Sequence, residues 1–541
     1  MKNIRSNLTW SKQLVNLLYD KGVRHICISP GSRNAPLIYE FINHSKLKCY
    51  SHIDERSASF FGLGIAKKTK SPVVILTTSG TATVNLFPAI IESYMSMVQL
   101  IIITADRPKA LLNTGENQTI YQKKIYGNYT KSALDIGYKR SLGTLKKIDK
   151  MLNIKKLNGP IHLNIRLDEP LIDKREKLIS YSPEKFKNKI KKASITLPLF
   201  KRPLIICGGL SQSDSNKILT LANKINSPIF TDILSDMRHM KSEKIKVYYD
   251  HYIEHLKFKP DFILRFGRKP TSKKLCHFLN KNKNNTFLLE PYGNFNDDCK
   301  NIIKSNLNNT IIKFSSKNST DKAWIDHINV MESSVEKIIN TEDSKQNNEP
   351  NLIRALQTTF EEQDCLFIGN STPIRTFDQF SRRFKTKVNI FANRGASGID
   401  GLTSTAMGVA KTNNLSRNFL VIGDVSLFHD ANAFHIKTSK PIDLTVIVVN
   451  NKGGQIFSKI DYGNKNIKQF EKYWITPPIT KIKDLANLYN LKYYKLKNDE
   501  VQKKLKKISS LKGVKIIEVI IDASKDRIIK EKIENTIKQL A

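Results

Sequence analysis

Short apolar runs, repeatedly followed by glycine or polar residues, recur along the whole chain, and they constrain its fold more than any other feature. In the first third they cover 25–29, 48–53, 72–77, 99–104 and 159–166. In the middle they cover 203–209, 229–233, 261–267 and 287–290, and in the last third 366–369, 388–391, 419–423, 445–450 and 514–521. Segments of helical period lie before and between them, such as 7–20 and the stretch opened by Asp54. Apolar runs alternating with helices predict parallel strands joined by crossover helices, the doubly wound α/β architecture. Three such domains in series are expected, at 1–180, 193–340 and 350–541, with polar linkers at 181–192 and 341–350. Ligands of such sheets bind beyond the carboxyl ends of the strands, where this chain repeatedly places glycine and polar residues.

The densest of these strand ends lies between Ile422 and Phe457. Gly423-Asp424-Val425-Ser426 follows one strand, and Asn450-Asn451-Lys452-Gly453-Gly454-Gln455-Ile456-Phe457 follows the next. A glycine turn there lets backbone N–H groups at the following helix start face an anion. Asp424 offers a carboxylate oxygen, Asn451 an amide oxygen and Gly453 a backbone carbonyl. Such oxygen ligands suit Mg²⁺ that shares its coordination sphere with a diphosphate. The same residues also fit an ordinary strand–turn–helix with an incidental aspartate, and spacing alone leaves both readings open. Glu55, just past Asp54, is a second acidic candidate, although the helix dipole favours a first-turn glutamate on its own.

At 541 residues the chain is too long for one ordinary domain, and 40% hydrophobic residues suffice for several cores. No apolar run approaches the ~18 residues of a membrane span. Met1-Lys2-Asn3-Ile4-Arg5 lacks the apolar stretch of a secretion signal. Six cysteines, at 27, 49, 207, 276, 299 and 365, form no Cys-x-x-Cys pair. That usage predicts a reducing, cytoplasmic setting and no zinc site. The net charge of +40 is spread over the whole chain. Without helix-turn-helix, zinc-finger or aromatic RNA-binding signatures, it predicts no nucleic-acid partner. P-loop, His-Glu-x-x-His and nucleophile-elbow motifs are absent as well.

Several stretches together carry a family resemblance. They are Ser29-Pro30-Gly31-Ser32-Arg33, Asp54-Glu55-Arg56-Ser57-Ala58, Thr78-Ser79-Gly80-Thr81-Ala82 and Thr104-Ala105-Asp106-Arg107-Pro108. Asn393-Arg394-Gly395-Ala396-Ser397-Gly398-Ile399-Asp400-Gly401 and the Asp424/Asn451 pair join them. The chain resembles the 2-succinyl-5-enolpyruvyl-6-hydroxy-3-cyclohexene-1-carboxylate synthases, thiamine-diphosphate (ThDP) enzymes of menaquinone biosynthesis. The first and last thirds match well and the middle weakly. Val425 stands where the general ThDP motif has glycine.

The resemblance implies a pyrimidine-binding domain, a smaller central domain and a diphosphate-binding domain, in that order. It implies a homodimer or homotetramer, because one subunit's first domain faces another's third. Glu55 would partner the aminopyrimidine ring, where a carboxylate promotes ionisation of the cofactor's reactive carbon. Asp424, Asn451 and the Gly453 carbonyl would hold Mg²⁺ or Mn²⁺, and Gly423, Val425 and Ser426 would line the diphosphate. Ile399 would prop the cofactor, with Ile456 and Phe457 against its rings. The implied substrates are 2-oxoglutarate, which is decarboxylated, and isochorismate, which accepts the product by 1,4-addition. Each carries two carboxylates, which suits bidentate arginine. The matched residues are Arg33, Arg107, Arg375 and Arg394, with Ser32, Asn117, Gln118 and Ser371 as polar partners. Lys273 and Lys274 match in the central domain, while His429 and His435 read as structural. Another ThDP-dependent 2-oxo acid lyase or synthase is the alternative activity, and a basic scaffold that has lost catalysis is the non-enzymatic one.

Overall fold

The computed structural model describes residues 3–540 except 138–139, 154–158, 185–191, 211, 292, 294, 342–345, 414–415, 461 and 464–466. Parts of both expected linkers therefore lie outside the described residues. Three six-stranded sheets follow one another along the chain, with parallel pairing throughout. The first runs in space as Lys48–Ser51, His25–Ile28, Val73–Thr77, Leu100–Asp106, Ile161–Arg166, Ser132–Ile136. The third runs as Asn389–Phe391, Cys365–Ile368, Asn418–Gly423, Leu444–Asn450, Val514–Ile520, Lys492–Leu496. Numbered within each sheet, both have the order 2-1-3-4-6-5, whereas the middle sheet has 3-2-1-4-5-6.

Every strand expected from an apolar run is present, with ends shifted by no more than two residues. The strands without such a run are edge or near-edge strands. Ser132–Ile136 and Lys492–Leu496 border the first and third sheets, and each keeps a single buried residue. Solvent on one side interrupts their apolar pattern, as it commonly does at sheet edges. Ile245–Lys246 and Asn301–Ile303, at the two edges of the middle sheet, are too short to register.

The order reverses between the first and third strands of the outer sheets, and a crevice opens at such a switch point. In the first sheet the Ser29–Arg33 turn and Thr78–Gly80 meet there; a Cβ on Gly31 would stand 2.5 Å from the Thr78 Cβ. In the third sheet the crevice lies between Gly369-Asn370-Ser371 and Asp424.

Helices Glu55–Thr69 and Leu402–Thr412 join the first and third sheets. Their backbones touch. A Cβ on Gly64 would stand 2.0 Å from the Thr405 carbonyl oxygen, and one on Gly408 2.0 Å from that of Phe61. One apolar cluster consequently runs through both, including Phe60, Phe61 and Leu63 on one side and Leu402, Met407 and Val409 on the other. The final helix, Lys525–Leu540, crosses back instead, burying Ile529, Ile533 and Ile537 at helical spacing in the core beneath the middle sheet. No helix among the described residues is long and apolar enough to cross a membrane, and all six cysteines are free.

Candidate functional site

Strand Asn418–Gly423 delivers Asp424 to the first position of helix Asp424–His429. Strand Leu444–Asn450 runs beside it with Val449 opposite Gly423, so Asn451 emerges next to Asp424. Asp424 is buried, its Oδ1 accepting the Val425 N–H and its Oδ2 the Gly453 N–H, both at 2.8 Å. Burial pushes its carboxyl above the usual carboxylate range, against the pull of those N–H groups. Asn450 donates to Glu518 at 2.6 Å, and the Tyr493 hydroxyl donates to the same carboxylate. Asn451, also buried, makes no side-chain hydrogen bond among the described residues. Gly453 has φ 114°, and a Cβ there would lie 2.3 Å from the Ile475 carbonyl oxygen, so only glycine fits. A cavity of about 680 Å³ opens beside Asp424, lined by Asn450, Lys452, Lys481, Lys483, Lys495 and Glu518. Its lysines suit an anion. Val425 and buried Ser426 occupy the first turn of the Asp424 helix. Ile456 and the more exposed Phe457 lie on the following loop.

Across the crevice, Ser371 leads into helix Thr372–Phe380. Arg375 donates to the Ser371 carbonyl at 2.6 Å, and Arg394 to Asn370 Oδ1 at 3.2 Å. The Asn370 amide in turn donates to the carbonyls of Asn393 at 2.9 Å and Gly398 at 2.7 Å, holding the segment that carries Arg394 and Ile399. Partial burial and the nearby Arg394 guanidinium both depress the Arg375 pKa. Neither arginine makes an ion pair among the described residues. The chemistry of two adjacent guanidiniums without a carboxylate suits a dianion.

A second group gathers at the carboxyl end of the first sheet. Arg33 is buried and donates to the Leu167 carbonyl at 3.1 Å, with Glu169 at 3.4 Å. Arg107 lies 3.9 Å from Glu116. The Nε groups of both arginines are buried without a hydrogen-bond partner among the described residues. Ser32, Asn117 and Gln118 are exposed, and Gln118 packs over Gly80, whose Cβ would stand 3.0 Å from it. Glu55 occupies the first turn of its helix behind the cap Asp54 and accepts from Asn85 Nδ2 at 3.1 Å. Within the chain this helix start abuts the far end of the Asp424 helix. Arg56 donates to the His429 carbonyl at 2.9 Å, and Asn432 donates to Asp54 at 2.9 Å. His435 packs edge-on to Tyr489.

No hydrogen bond or ion pair among the described residues joins the Arg33/Arg107 group to the Arg375/Arg394 group directly. Lys273 and Lys274 stand apart from both, in the first turn of helix Lys273–Lys281, where Lys274 pairs with Glu254 at 3.3 Å. Four loop residues near these groups, Gln118, Ser371, Ser397 and Lys452, are non-glycine residues with positive φ. Such backbone costs on the order of 1–3 kcal/mol each and concentrates at ligand sites.

Sequence reasoning missed Asn370, Glu92 and Lys67. Asn370 sits one residue before Ser371, so its neighbourhood was the available signal. Glu92 and Lys67 lie on first-domain helices, far in sequence from the segment they hold. The Lys67 side chain is largely withdrawn from water, which lowers its pKa to about 8 despite Glu92 beside it.

The family described as "Thiamine pyrophosphate enzyme, N-terminal TPP binding domain" matches residues 8–125, and "Middle domain of thiamine pyrophosphate" matches 169–368. The solved benzoylformate decarboxylase from Polynucleobacter necessarius superposes with TM-score 0.71 over 96% of this chain and 99% of that one, at 14% identity, a likeness of fold alone. Fold, site and matched regions together define a thiamine-diphosphate enzyme. Among curated relatives, the 2-succinyl-5-enolpyruvyl-6-hydroxy-3-cyclohexene-1-carboxylate synthase of Listeria welshimeri is 33% identical, covering 93% of this chain and 92% of the relative. That of Desulfitobacterium hafniense is 32% identical over 96% and 98%. The chain belongs to the 2-succinyl-5-enolpyruvyl-6-hydroxy-3-cyclohexene-1-carboxylate synthase family.

Proposed function

We propose that this protein decarboxylates 2-oxoglutarate and adds the resulting succinyl carbanion to isochorismate, as a step of menaquinone biosynthesis. The observation that carries the choice of substrates is the Arg375/Arg394 pair, which makes no ion pair among the described residues and is hydrogen-bonded to Ser371 and Asn370 just past a third-sheet strand end. Small apolar 2-oxo acids would leave both cations unsatisfied.

The residues around Asp424 fit a metal-bound diphosphate. Asp424 keeps a lone pair on each oxygen after accepting its two N–H groups, Asn451 has an uncommitted amide, and Gly453 allows close backbone approach. These three would hold Mg²⁺ or Mn²⁺. Bound there, thiamine diphosphate would supply the carbon nucleophile and electron sink. Glu55 would hold a proton at the N1′ atom of the pyrimidine ring. Arg394 and Arg375 would orient a substrate dicarboxylate, with Arg33 and Arg107 contributing from the first-domain side. Ile399, Ile456 and Phe457 would exclude water. The exposed Ile53 and Val84 near Glu55, and Tyr473 and Ile479 in the stretch beyond Asn451, support a homodimer in which first and third domains of different subunits face each other.

Purified protein with thiamine diphosphate, Mg²⁺ and both substrates should yield the adduct, detected by its mass. Rapid CO₂ release from 2-oxoglutarate without adduct would instead favour a simple 2-oxo acid decarboxylase.

A further inference from the structure

Segment 393–401 lies on the third-sheet side of the molecule, yet much of what holds it comes from the first. Glu92, on helix Phe87–Met95, is buried and turns its carboxylate into the segment. Oε1 accepts the Gly395 N–H at 2.9 Å, and Oε2 accepts those of Ala396 at 2.7 Å and Ser397 at 3.4 Å. Successive N–H groups converging on one anion form a nest, and Ser397 turns left-handed, φ 64°, beside it. The fit is tight, since a Cβ on Gly395 would lie 2.7 Å from the Glu92 carbonyl oxygen. Lys67, on the helix that begins with Glu55, stands 3.4 Å from Glu92 Oε1. It donates to the Ala392 carbonyl at 2.8 Å and to Asn393 Oδ1 at 2.6 Å. The backbone is thus held on both sides of Arg394, by Lys67 before it and by Glu92 after it.

We propose that Glu92, balanced by Lys67, is a positioning residue that sets where the Arg394 guanidinium meets a substrate carboxylate. The proposal rests on the reading of Arg394 as substrate-binding. A carboxylate is required because all three backbone groups are donors. A glutamine would offer them one acceptor oxygen and oppose the rest with its own N–H₂. The device also ties the Arg394 segment to the Glu55 helix, so one rigid element would register both.

Glu92→Gln should raise KM for the dicarboxylate that Arg394 binds by about tenfold or more, the order expected of a small misplacement. Saturating kcat and thiamine-diphosphate affinity should change much less. Amide exchange followed by mass spectrometry should speed in 393–401 and stay native in the sheets. Arg394→Ala should raise the same KM, and adding Glu92→Gln to it should cost little more, because both act through one side chain. Glu92→Gln/Lys67→Met removes both buried charges and guards against misfolding around a lone Lys67; it should reproduce the KM rise. Native melting with unchanged KM and unchanged exchange in the glutamine or the paired variant would overturn the proposal. So would strictly additive effects of Glu92→Gln and Arg394→Ala. Unchanged KM values in Arg394→Ala would sink the substrate-binding reading itself, whereas faster exchange in Glu92→Gln would still uphold the hold on the segment.

Discussion

At the scale of single residues, Asp424 and Glu55 make the most separable predictions. Asp424 contributes a buried carboxylate where Asn451 contributes an uncommitted amide. Asp424→Ala should abolish Mg²⁺-dependent binding of thiamine diphosphate, and a titration matching wild type would refute the ligand assignment. Glu55→Gln keeps size and hydrogen bonding but cannot share a proton with the cofactor ring. Binding should survive while kcat falls about 10²- to 10⁴-fold, the usual range for a lost acid–base group. Exchange of the cofactor's C2 proton into deuterated water should slow even without substrate. Exchange at the wild-type rate with turnover lost would move Glu55 to a later step. Asp424 stands out in the sequence because it directly follows a strand, whereas Glu55 opens a helix four residues past one and is singled out only by the family resemblance. Glu92 does not stand out, because its partners at 395–397 are brought to it only by tertiary packing.

Among elements, the crossing of helices Glu55–Thr69 and Leu402–Thr412 decides how the first and third domains meet. Glycines at 64 and 408 let backbone carbonyls approach within van der Waals reach of the opposite helix. Gly64→Ala or Gly408→Ala should therefore destabilise by about 1–3 kcal/mol or more, since overpacking at a rigid backbone cannot be relieved by a rotamer change. Denaturant melts would measure it. The Leu402 helix also rests on Asp430, which is fully buried and accepts the Ser404 N–H at 2.7 Å and its hydroxyl at 2.9 Å. Burial pushes this carboxyl from the ordinary 3.8 up to about 7. The folded state holds the proton more tightly than the unfolded chain, so this stabilisation is complete below the unfolded value and lost as pH rises through the folded one. Asp430→Asn, which is always uncharged, should flatten that dependence. Its melting temperature relative to wild type should climb between pH 4 and pH 7; a constant difference would show that Asp430 stays ionised when folded.

For the whole molecule, the question is which chains build one site. Glu55 begins a first-domain helix, and the Asp424 pocket belongs to the third domain. If each site takes its first domain from one subunit and its third from another, Glu55→Gln and Asp424→Ala should complement. Denaturing and refolding the two inactive variants together should restore about a quarter of wild-type activity, from the one intact site in each heterodimer of a symmetric assembly. No recovery, with mixed dimers verified by mass, would put each site within a single chain.

Alternating apolar runs determined three doubly wound sheets and the ends at which ligands gather, because strand period and turn chemistry are local properties. The same locality placed Asp424, Asn451 and Gly453 together, one strand–helix–strand unit apart. It failed at edge strands such as Lys492–Leu496, where solvent on one side breaks the apolar pattern. Only the tertiary structure decided that Arg375 and Arg394 stand side by side without a carboxylate, and that Glu92 reaches across domains into the Arg394 segment. Those contacts join residues far apart in sequence, and their geometry exists only once the Glu55 and Leu402 helices have packed backbone to backbone.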